Sequence, residues 1–433
     1  MGDPGASSLT GHRIIVAEPS CTVSHPSKRS LRGLDWFVFF VADVQTGFGP
    51  FVAVYLTAEK WTQVDIGLVL TAAGLVGLVG QIPGGALLDA ARSERFVAAI
   101  AVGLISVSAL AYALWPIFPV VLAAACLHAA ASCVLGPAIV AISLGLVGPA
   151  GIGERLGRNA RFASIGAGLT AGVMGVVGYL VSTSAVFFVT AALLIPVWLA
   201  LRTIAPREID PEQAHGNAPM KRKPDEGQAE LRAPTDLRRL LLRSPLLIFG
   251  GCILLFHLAN AAMLPLMGSV LTTRLSDWAT VLIAACMVGP QLIVAIFSPW
   301  VGRQAQRWGR RPLLIAGFTF LPIRGVLFAT VSDPYLLVAV QLLDGLTASV
   351  FSVLIPLTIA DLTRGTGRFN LTQGMVGTMT GIGASLSPTL AGYVTDSYDS
   401  SIAFLCLAAV AAVGLTVVSF LMPETRPPPQ SPQ

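Results

Sequence analysis

Charged side chains are scarce in this chain of 433 residues, where they make up 12% of the sequence against 54% hydrophobic residues, with a mean hydropathy of +0.74. Two or three soluble domains of the usual size would need a far more polar surface. The charges fall between apolar runs of about 20 residues, long enough to cross a hydrocarbon core about 30 Å thick as helices. The composition therefore predicts an all-α, multi-pass membrane protein, and we assign the net charge of +5 to membrane topology rather than to nucleic-acid binding.

Motifs for catalysis and for metal binding are also missing. The six cysteines lie mostly inside apolar runs without paired spacing, which excludes a disulfide framework or a cysteine metal site. No G-x-x-x-x-G-K-(S/T) motif is present, which argues against an ATP-driven pump within this chain. No pairing of a nucleophile with a base stands out either. We predict neither an enzyme nor a bound metal or cofactor.

The apolar runs predict twelve transmembrane helices, six on each side of a polar linker. The predicted spans are 36–57, 66–88, 96–115, 119–147, 160–182, 185–203, 246–271, 278–301, 312–331, 335–360, 372–395 and 402–422. The resulting domains are an N-terminal tail (1–33), a six-helix bundle (34–203), a linker (204–243), a second six-helix bundle (244–423) and a C-terminal tail (424–433).

The placement of basic residues predicts the orientation of the chain. Of the 28 Lys and Arg residues, Lys60 and Arg274 lie in loops after odd-numbered spans, and Arg324 lies within a span. All the other Lys and Arg residues lie on the same side of the membrane as both termini and the linker. Because loops rich in Lys and Arg stay in the cytosol, we predict a plasma or inner membrane protein with both termini cytosolic.

The two halves repeat each other at a nearly constant spacing. Pro50 in the first span and Pro265 in the seventh both precede a Leu-Thr pair at an offset of 215 residues. Tyr179 and Tyr393, each preceded by glycine, repeat at an offset of 214 residues. Two pseudo-symmetric six-helix halves are therefore expected.

Two matching turns carry the most specific motif. The turn after the second span contains Gly85, Asp89 and Arg92, and the turn after the eighth contains Gly302, Arg303 and Arg307 followed by Gly-Arg-Arg. They resemble the loop signature G-x-x-x-D-(R/K)-x-G-(R/K)-(R/K) of the major facilitator superfamily. The second copy has Gln306 in place of the acid. The resemblance covers nearly the whole chain after residue 33 and assigns no branch.

The resemblance implies a transporter whose solute site lies between the two halves near mid-bilayer. It also gives the turns a gating role, in which Asp89 caps a helix N-terminus and meets basic groups across the interface between the halves, so that the cytosolic side stays closed in one state. We expect the turn residues other than Arg310 and Arg311 to gate, and those two to contact anionic headgroups.

Ionisable residues inside a membrane are costly and are therefore functional candidates. Asp43 lies in the middle of the first span, where desolvation favours its protonated form. At the offset of the repeat, Gln45 matches Asn260, and His257 lies beside the position that matches Asp43. We expect these four residues to line the solute cavity or couple protons. Structural roles remain open for Asp43 and His257.

Arg324 in the ninth span and Asp344 in the tenth are the other intramembrane charges, and we predict that they form a pair. A structural or gating role is favoured over an anion site for the solute. His128 in the fourth span matches Asp344 by offset, and Gln291 follows Gly-Pro in the eighth. Both are further candidates for the cavity.

The sequence thus predicts a secondary transporter of a small organic solute that uses alternating access, with proton coupling and export favoured. A proton-coupled importer or a uniporter fits the same fold. A protein of another class, a transport-inactive sensor or scaffold, also fits it. The expected partners are the bilayer, the solute and protons, with no nucleic acid, and the chain is expected to act as a monomer.

Overall fold

The computed structural model describes residues 26–46, 49–216, 244–274 and 279–426. Within these ranges the regular structure is helical. The helices are α1 (Lys28–Thr46), α2 (Gly49–Ala58), α3 (Gln63–Ala90), α4 (Glu94–Leu114), α5 (Phe118–Leu180), α6 (Ala185–Ala192), α7 (Leu194–Thr203), α8 (Pro211–Ala214), α9 (Ser244–Asn260), α10 (Met263–Arg274), α11 (Ala279–Trp308), α12 (Arg311–Thr330), α13 (Pro334–Leu362), α14 (Phe369–Ser397) and α15 (Ser400–Leu421).

These helices make twelve membrane spans in two halves of six. In the described part of the chain, nine helices are long and apolar enough to cross a membrane. One of them, α5, has 63 residues and is about 95 Å long, enough for two spans. Its helical conformation is interrupted at Gly148, with φ of +66°, and Pro149 follows as the first residue of the next helix. The first, sixth and seventh spans each contain two consecutive helices, α1 with α2, α6 with α7, and α9 with α10.

Two helices begin well before the predicted spans that they contain. The helix α1 begins at Lys28, ahead of the predicted span start at 36, and Ser27 holds its start to the Glu208 carboxylate through its N–H (2.9 Å) and hydroxyl (3.0 Å). The second part of α5 begins at Pro149, ahead of the predicted span start at 160, and this additional segment packs between the two halves. Most of the predicted tails and linker (1–25, 217–243 and 427–433) lies outside the described residues.

Each half has its own apolar core. The core of the first half is built from α1 to α7, and that of the second from α9 to α15. Four buried side chains of α5 belong to the second core: Val140, Leu144, Ile152 and Leu156. The two halves are therefore in direct apolar contact along α5.

The beginning of the predicted linker, 204–216, is folded against both halves. In this segment the N–H of Asp210 donates to the Gly145 carbonyl of the first half (3.0 Å). On the other side, the Gly216 carbonyl accepts from the N–H of Gly365 (2.7 Å) in the second half. The first residues of the predicted linker therefore belong to the folded structure, because their backbone groups are paired with both bundles.

Candidate functional site

The two halves meet mainly through four helices, α3 and α5 from the first half and α11 and α14 from the second, which we call the gate helices. Their contacts lie at the end of the bundle that carries the basic turns, which we call the basic end. At Gly85 of α3 an added Cβ would lie 2.8 Å from the carbonyl carbon of Asn370 and 3.0 Å from the Leu371 Cα in α14. The backbones of α3 and α14 touch only because residue 85 has no side chain.

The second pair of gate helices approaches in the same way. An added Cβ at Gly302 of α11 would lie 3.1 Å from the Gly153 carbonyl carbon of α5. One turn away, the Ser298 hydroxyl donates to the Gly157 carbonyl (2.9 Å), and Arg161 donates to the Ala295 carbonyl (2.8 Å). The structure therefore places both signature glycines at the closest approaches between the halves.

Towards the opposite end of the bundle, which we call the far end, the halves separate. On an α-helix, residues 11 or 18 positions apart lie on nearly the same face. Gly74 and Gly67 therefore share the face of Gly85 on α3, Gly168 shares that of Gly157 on α5, and Gly392 shares that of Gly374 on α14. An added Cβ at any of these four positions would meet no atom of the described residues within 4 Å. Among the described residues, the space between the halves is therefore closed at the basic end and opens towards the far end.

Asp89, the acid of the first signature turn, caps the N-terminus of α14 in the opposite half. Its carboxylate accepts from the N–H of Asn370 (3.1 Å), from the N–H of Leu371 (2.8 Å) and from the Asn370 side-chain amide (2.9 Å). The first N–H groups of a helix have no partner within it, and the helix dipole favours a negative charge there. One charged side chain thus joins the two halves at the basic end.

The other residues of the signature turns differ from Asp89 in their surroundings. Arg92, Arg303 and Arg307 are exposed. Arg307 accepts at its carbonyl from the guanidinium of Arg426 (2.8 Å). The structure shows no cross-half ion pair for these three arginines within the described residues, so their gating role stays a prediction.

The expectation that Arg310 reaches the lipid headgroups is wrong. The backbone turns inward at Gly309, whose φ of +94° favours glycine. Arg310 is 2% exposed, and its Nε donates to Asp361 (2.7 Å). The Glu424 carboxylate accepts from the N–H groups of Arg310 (2.9 Å) and Arg311 (3.1 Å), where α12 begins. These contacts fix the turn to α13 and to the end of the chain.

The seventh span is broken at its middle, between α9 and α10. The N–H of Ala262 at this break donates to the hydroxyl of Ser387 in α14 (2.9 Å), and Ser387 is fully buried. Broken helices are tolerated at membrane depth where protein or an aqueous cavity satisfies the backbone, and they form solute sites in many transporters. By the repeat offset, this break matches the part of the first span where α1 ends and α2 begins.

A buried charge cluster lies at this break. Arg324 of α12 is 2% exposed, and it forms an ion pair with Asp344 of α13 and donates to the side-chain oxygen of Asn260 at the end of α9. It also contacts the Met263 sulfur (3.3 Å) at the start of α10. The Asp344 side chain keeps 25% of its surface exposed. The structure therefore combines the predicted charge pair with Asn260, which the sequence had assigned to a separate cavity site.

This cluster has unused hydrogen-bonding capacity. The Nε of Arg324 has no hydrogen-bond partner among the described residues, although it is fully buried. The same holds for the side-chain oxygen of Gln341, one helical turn before Asp344 on α13 and 1% exposed. A buried polar group without a partner is costly. The cluster offers one donor and one acceptor for a ligand or water, beside the partly exposed carboxylate of Asp344.

The other predicted cavity residues have separate surroundings. Asp43 and Gln45 lie in α1, but their side chains are outside what the structure describes. His257 lies one turn before Asn260, with its Nδ1 3.0 Å from the Ile253 carbonyl. His128 is half-buried in α5, and Gln291 is half-buried on α11, one turn from Ala295 towards the far end. The described part of the chain contains no group of three residues placed to hold a metal ion.

A second buried ion-pair network lies at the start of the first span and was not predicted. Asp35 is 2% exposed and accepts from Arg155 (2.5 Å) and from Arg158 (2.6 Å), both in α5. The Nε of Arg155 also donates to Asn159 (2.8 Å), and Asn159 donates to Ser143 (2.8 Å). The arginines were read as part of a polar loop, so nothing in the sequence paired them with Asp35. The network fixes α1 to the helical segment that touches the second half.

A third unpredicted pair connects the linker start to the first half. The Nε2 of His215 lies 3.2 Å from the carboxylate of Glu94, which is 4% exposed. The nearby Glu94 carboxylate raises the pKa of the His215 imidazole above its ordinary value. The ion pair is therefore complete below the unperturbed pKa and weakens as the pH rises through the raised one. The His215 carbonyl also faces the N–H of Phe369 (3.4 Å), so the pair lies beside the start of α14.

Comparison with known proteins supplies relatives that cover nearly the whole chain. The family model described as "Major Facilitator Superfamily" matches residues 36–290 and 277–433. An uncharacterized MFS-type transporter of Mycobacterium tuberculosis is 38% identical over 410 residues, which cover 94% of this chain and 96% of that protein. The class B tetracycline resistance protein of Escherichia coli is 30% identical over 135 residues, or 31% of this chain and 33% of that one.

The fold is also shared with a solved structure. The crystal structure of the fucose:proton symporter of Escherichia coli matches with a TM-score of 0.70 at 16% sequence identity, covering 90% of this chain and 98% of that one. This likeness concerns the arrangement of the helices. It confirms the predicted architecture of twelve helices in two halves.

Proposed function

Since the chain belongs to the major facilitator superfamily and is a membrane-spanning transporter, we propose that it exports a small hydrophobic or weakly anionic organic solute in exchange for protons. The transport cycle is alternating access between the two six-helix halves. The chain acts as a single unit and needs neither a cofactor nor a metal ion.

The observation that carries this proposal is the asymmetry of the contacts between the halves. The gate helices touch at Gly85 and Gly302, and the same faces separate towards the far end. A rocking motion about the middle of these helices would open the basic end and close the far end. Such a pair of states is what alternating access requires.

The orientation of this state follows from the basic residues. Because the basic end carries nearly all Lys and Arg residues of the loops, it faces the cytosol of the plasma or inner membrane. The arrangement of the gate helices is then an outward-open state, in which a solute leaves to the outside. Proton entry from the outside into the same cavity would reset the carrier.

The cluster of Arg324, Asp344 and Asn260 is proposed as the site where solute and proton are linked. The unpartnered Nε of Arg324 can donate to an acceptor group of the solute. Asp344 is partly exposed beside it and can take up a proton. Protonation of Asp344 would remove the negative partner of Arg324. The affinity of Arg324 for an anionic group of the solute would then change. Asp43 in the first half is proposed as a second proton-carrying group.

The chemical class of the solute rests on the few charges of the chain. The ionisable groups that we assign to the interior of the spans are few, namely Asp43, His128, His257 and the pair of Arg324 with Asp344, so a strongly charged solute would lack counter-ions. A relative that matches part of the chain is named for resistance to tetracycline. A protein with the same fold is named as a fucose:proton symporter. These names support a small organic solute and protons as the two transported species.

Liposomes that contain the purified protein and a pH-sensitive dye test this function. A panel of organic solutes is added under an imposed pH gradient, and proton and solute movements are recorded together. We expect solute-dependent proton flux with the unchanged protein and a loss of at least about tenfold with Asp344→Asn. The variant Asp43→Asn is measured in parallel.

The matched control is Asp396→Asn, which makes the same substitution at an exposed residue near the far end of α14. It should transport as the unchanged protein does. Equal solute movement without proton flux in all samples would make the chain a uniporter and contradict the coupling. Absence of any solute movement with a folded protein would favour the sensor or scaffold.

A further inference from the structure

A groove on the outer surface of the first half lies between α1 and α7. The two helices are in contact at Gly33, where an added Cβ would lie 3.1 Å from the Ile204 side chain. Beyond this contact the helices separate and leave a groove of about 510 Å³. Its walls are largely apolar and its mouth is basic, with Arg29, Arg32, Gly33, Trp36, Phe40, Pro196, Leu199, Ala200 and Thr203 as lining residues.

The apolar walls face the hydrocarbon rather than the other half. Trp36 is 51% exposed and Leu199 is 57% exposed. The Trp36 ring also stacks on Phe40, with 5.8 Å between the ring centroids. Exposed tryptophan is typical of the boundary between acyl chains and headgroups. The groove therefore lies at the depth where a lipid headgroup meets its acyl chains.

The cations at the mouth have an unfavourable position in the helix. Lys28, Arg29 and Arg32 lie in the first two turns of α1, and no acidic residue lies in the first turn. The N-terminus of a helix carries a partial positive charge. The three cationic side chains are therefore repelled by the helix N-terminus and by one another. A bound anion would remove this repulsion.

The nearby carboxylates of the described chain are engaged elsewhere. Asp35 is buried and paired with two arginines of α5. Glu208 accepts hydrogen bonds from Ser27. No described carboxylate lies within ion-pair distance of Arg29 or Arg32, which are both exposed. The two guanidinium groups are one helical turn apart and can donate together to one phosphate.

We propose that this groove binds one acidic phospholipid of the leaflet at the basic end. The phosphate contacts Arg29 and Arg32, and an acyl chain lies along Trp36, Phe40 and Leu199. A free phosphate ion would satisfy the arginines but would leave the apolar wall uncovered. A zwitterionic lipid would cover the wall but would bring no net negative charge to the arginines.

Native mass spectrometry of the full-length protein in detergent tests this site. Phosphatidylglycerol and phosphatidylcholine with the same acyl chains are titrated, and the fraction of protein that carries one lipid is measured. Two arginines near a headgroup contribute about a factor of thirty in affinity for an acidic lipid. We expect Arg29→Gln with Arg32→Gln to remove most of the preference for phosphatidylglycerol, and Trp36→Ala to weaken the binding of both lipids.

The control variant combines Arg92→Gln with Arg364→Gln, which removes the same charge from two exposed arginines of the basic end that lie outside this groove. It should keep the preference. The thermal stability of each variant, measured without added lipid, identifies any loss of folding. Equal binding of the two lipids by the unchanged protein would overturn the proposal. So would a preference that survives in the Arg29 and Arg32 variant, or stabilisation by inorganic phosphate equal to that by phosphatidylglycerol.

Discussion

Replacing Gly85 with alanine is expected to open the basic end, so that a cysteine placed at Ser298 reacts with a thiol reagent at least about fivefold faster. The added Cβ would collide with the Asn370 backbone, so α3 and α14 can no longer touch. Overpacking of this kind costs about 1–3 kcal/mol, which shifts an equilibrium between two states by roughly five- to 150-fold. Ser298 is fully buried between α5 and α11. Its exposure therefore reports opening of the whole end and not a local change at Gly85.

The experiment uses a protein whose six native cysteines have been replaced. Gly74→Ala is the matched control, because it lies on the same face of α3 and its Cβ would meet no described atom within 4 Å. Both substitutions raise helix propensity equally, so a difference between them reflects contact across the halves. Unchanged labelling of Ser298→Cys in the Gly85→Ala protein would show that this contact does not control closure.

Removing the Asp344 carboxylate is expected to destabilise the protein and to abolish coupled transport. Asp344→Leu leaves Arg324 buried without its ion-pair partner, which costs about 3–5 kcal/mol. We expect the apparent melting temperature in detergent to fall by roughly 5–10 °C. Combining it with Arg324→Met removes both charges and should recover most of the stability, because the space is then filled by apolar groups of similar length.

The double variant separates a structural role from a functional one. If the charge cluster links solute and proton, the stable double variant remains inactive in the liposome assay. Measuring Arg324→Met alone completes a double-mutant cycle, which gives the coupling energy between the side chains of Arg324 and Asp344. Transport by the double variant at the rate of the unchanged protein would reduce the cluster to a structural pair.

The fold and one half of the gate follow from the sequence for simple physical reasons. Hydropathy identifies the spans because a bilayer requires long apolar helices. Gly85 and Asp89 were found because their turn resembles the loop signature of the superfamily and has a partial copy at the matching place in the second half. The partner of Asp89 was not predictable, since Asn370 lies 281 residues further along the chain.

The sequence was less informative where polar residues are buried by neighbours. The segment 149–159 lies between two predicted spans, and its two arginines both pair with Asp35 from another helix. Arg310 resembles a lipid anchor in sequence, and only the fold brings Asp361 beside it. Asn260 was placed in the cavity by its offset from Gln45, while the rotation of α9 directs it to Arg324. Such pairings depend on helix rotation, which the sequence spacing does not give.

The most direct test of alternating access is the distance between α3 and α14 at both of their ends. Spin labels at positions 92 and 364, in the turns that follow α3 and precede α14, report the basic end. Labels at 64 and 398 report the far end, and all four side chains are exposed. Double electron–electron resonance spectroscopy in lipid nanodiscs measures these distances in the unchanged protein and in the Gly85→Ala variant. We predict that the variant lengthens the distance between 92 and 364 and shortens that between 64 and 398. Lengthening at both ends, or a change at one end alone, would contradict a rocking motion of the two halves.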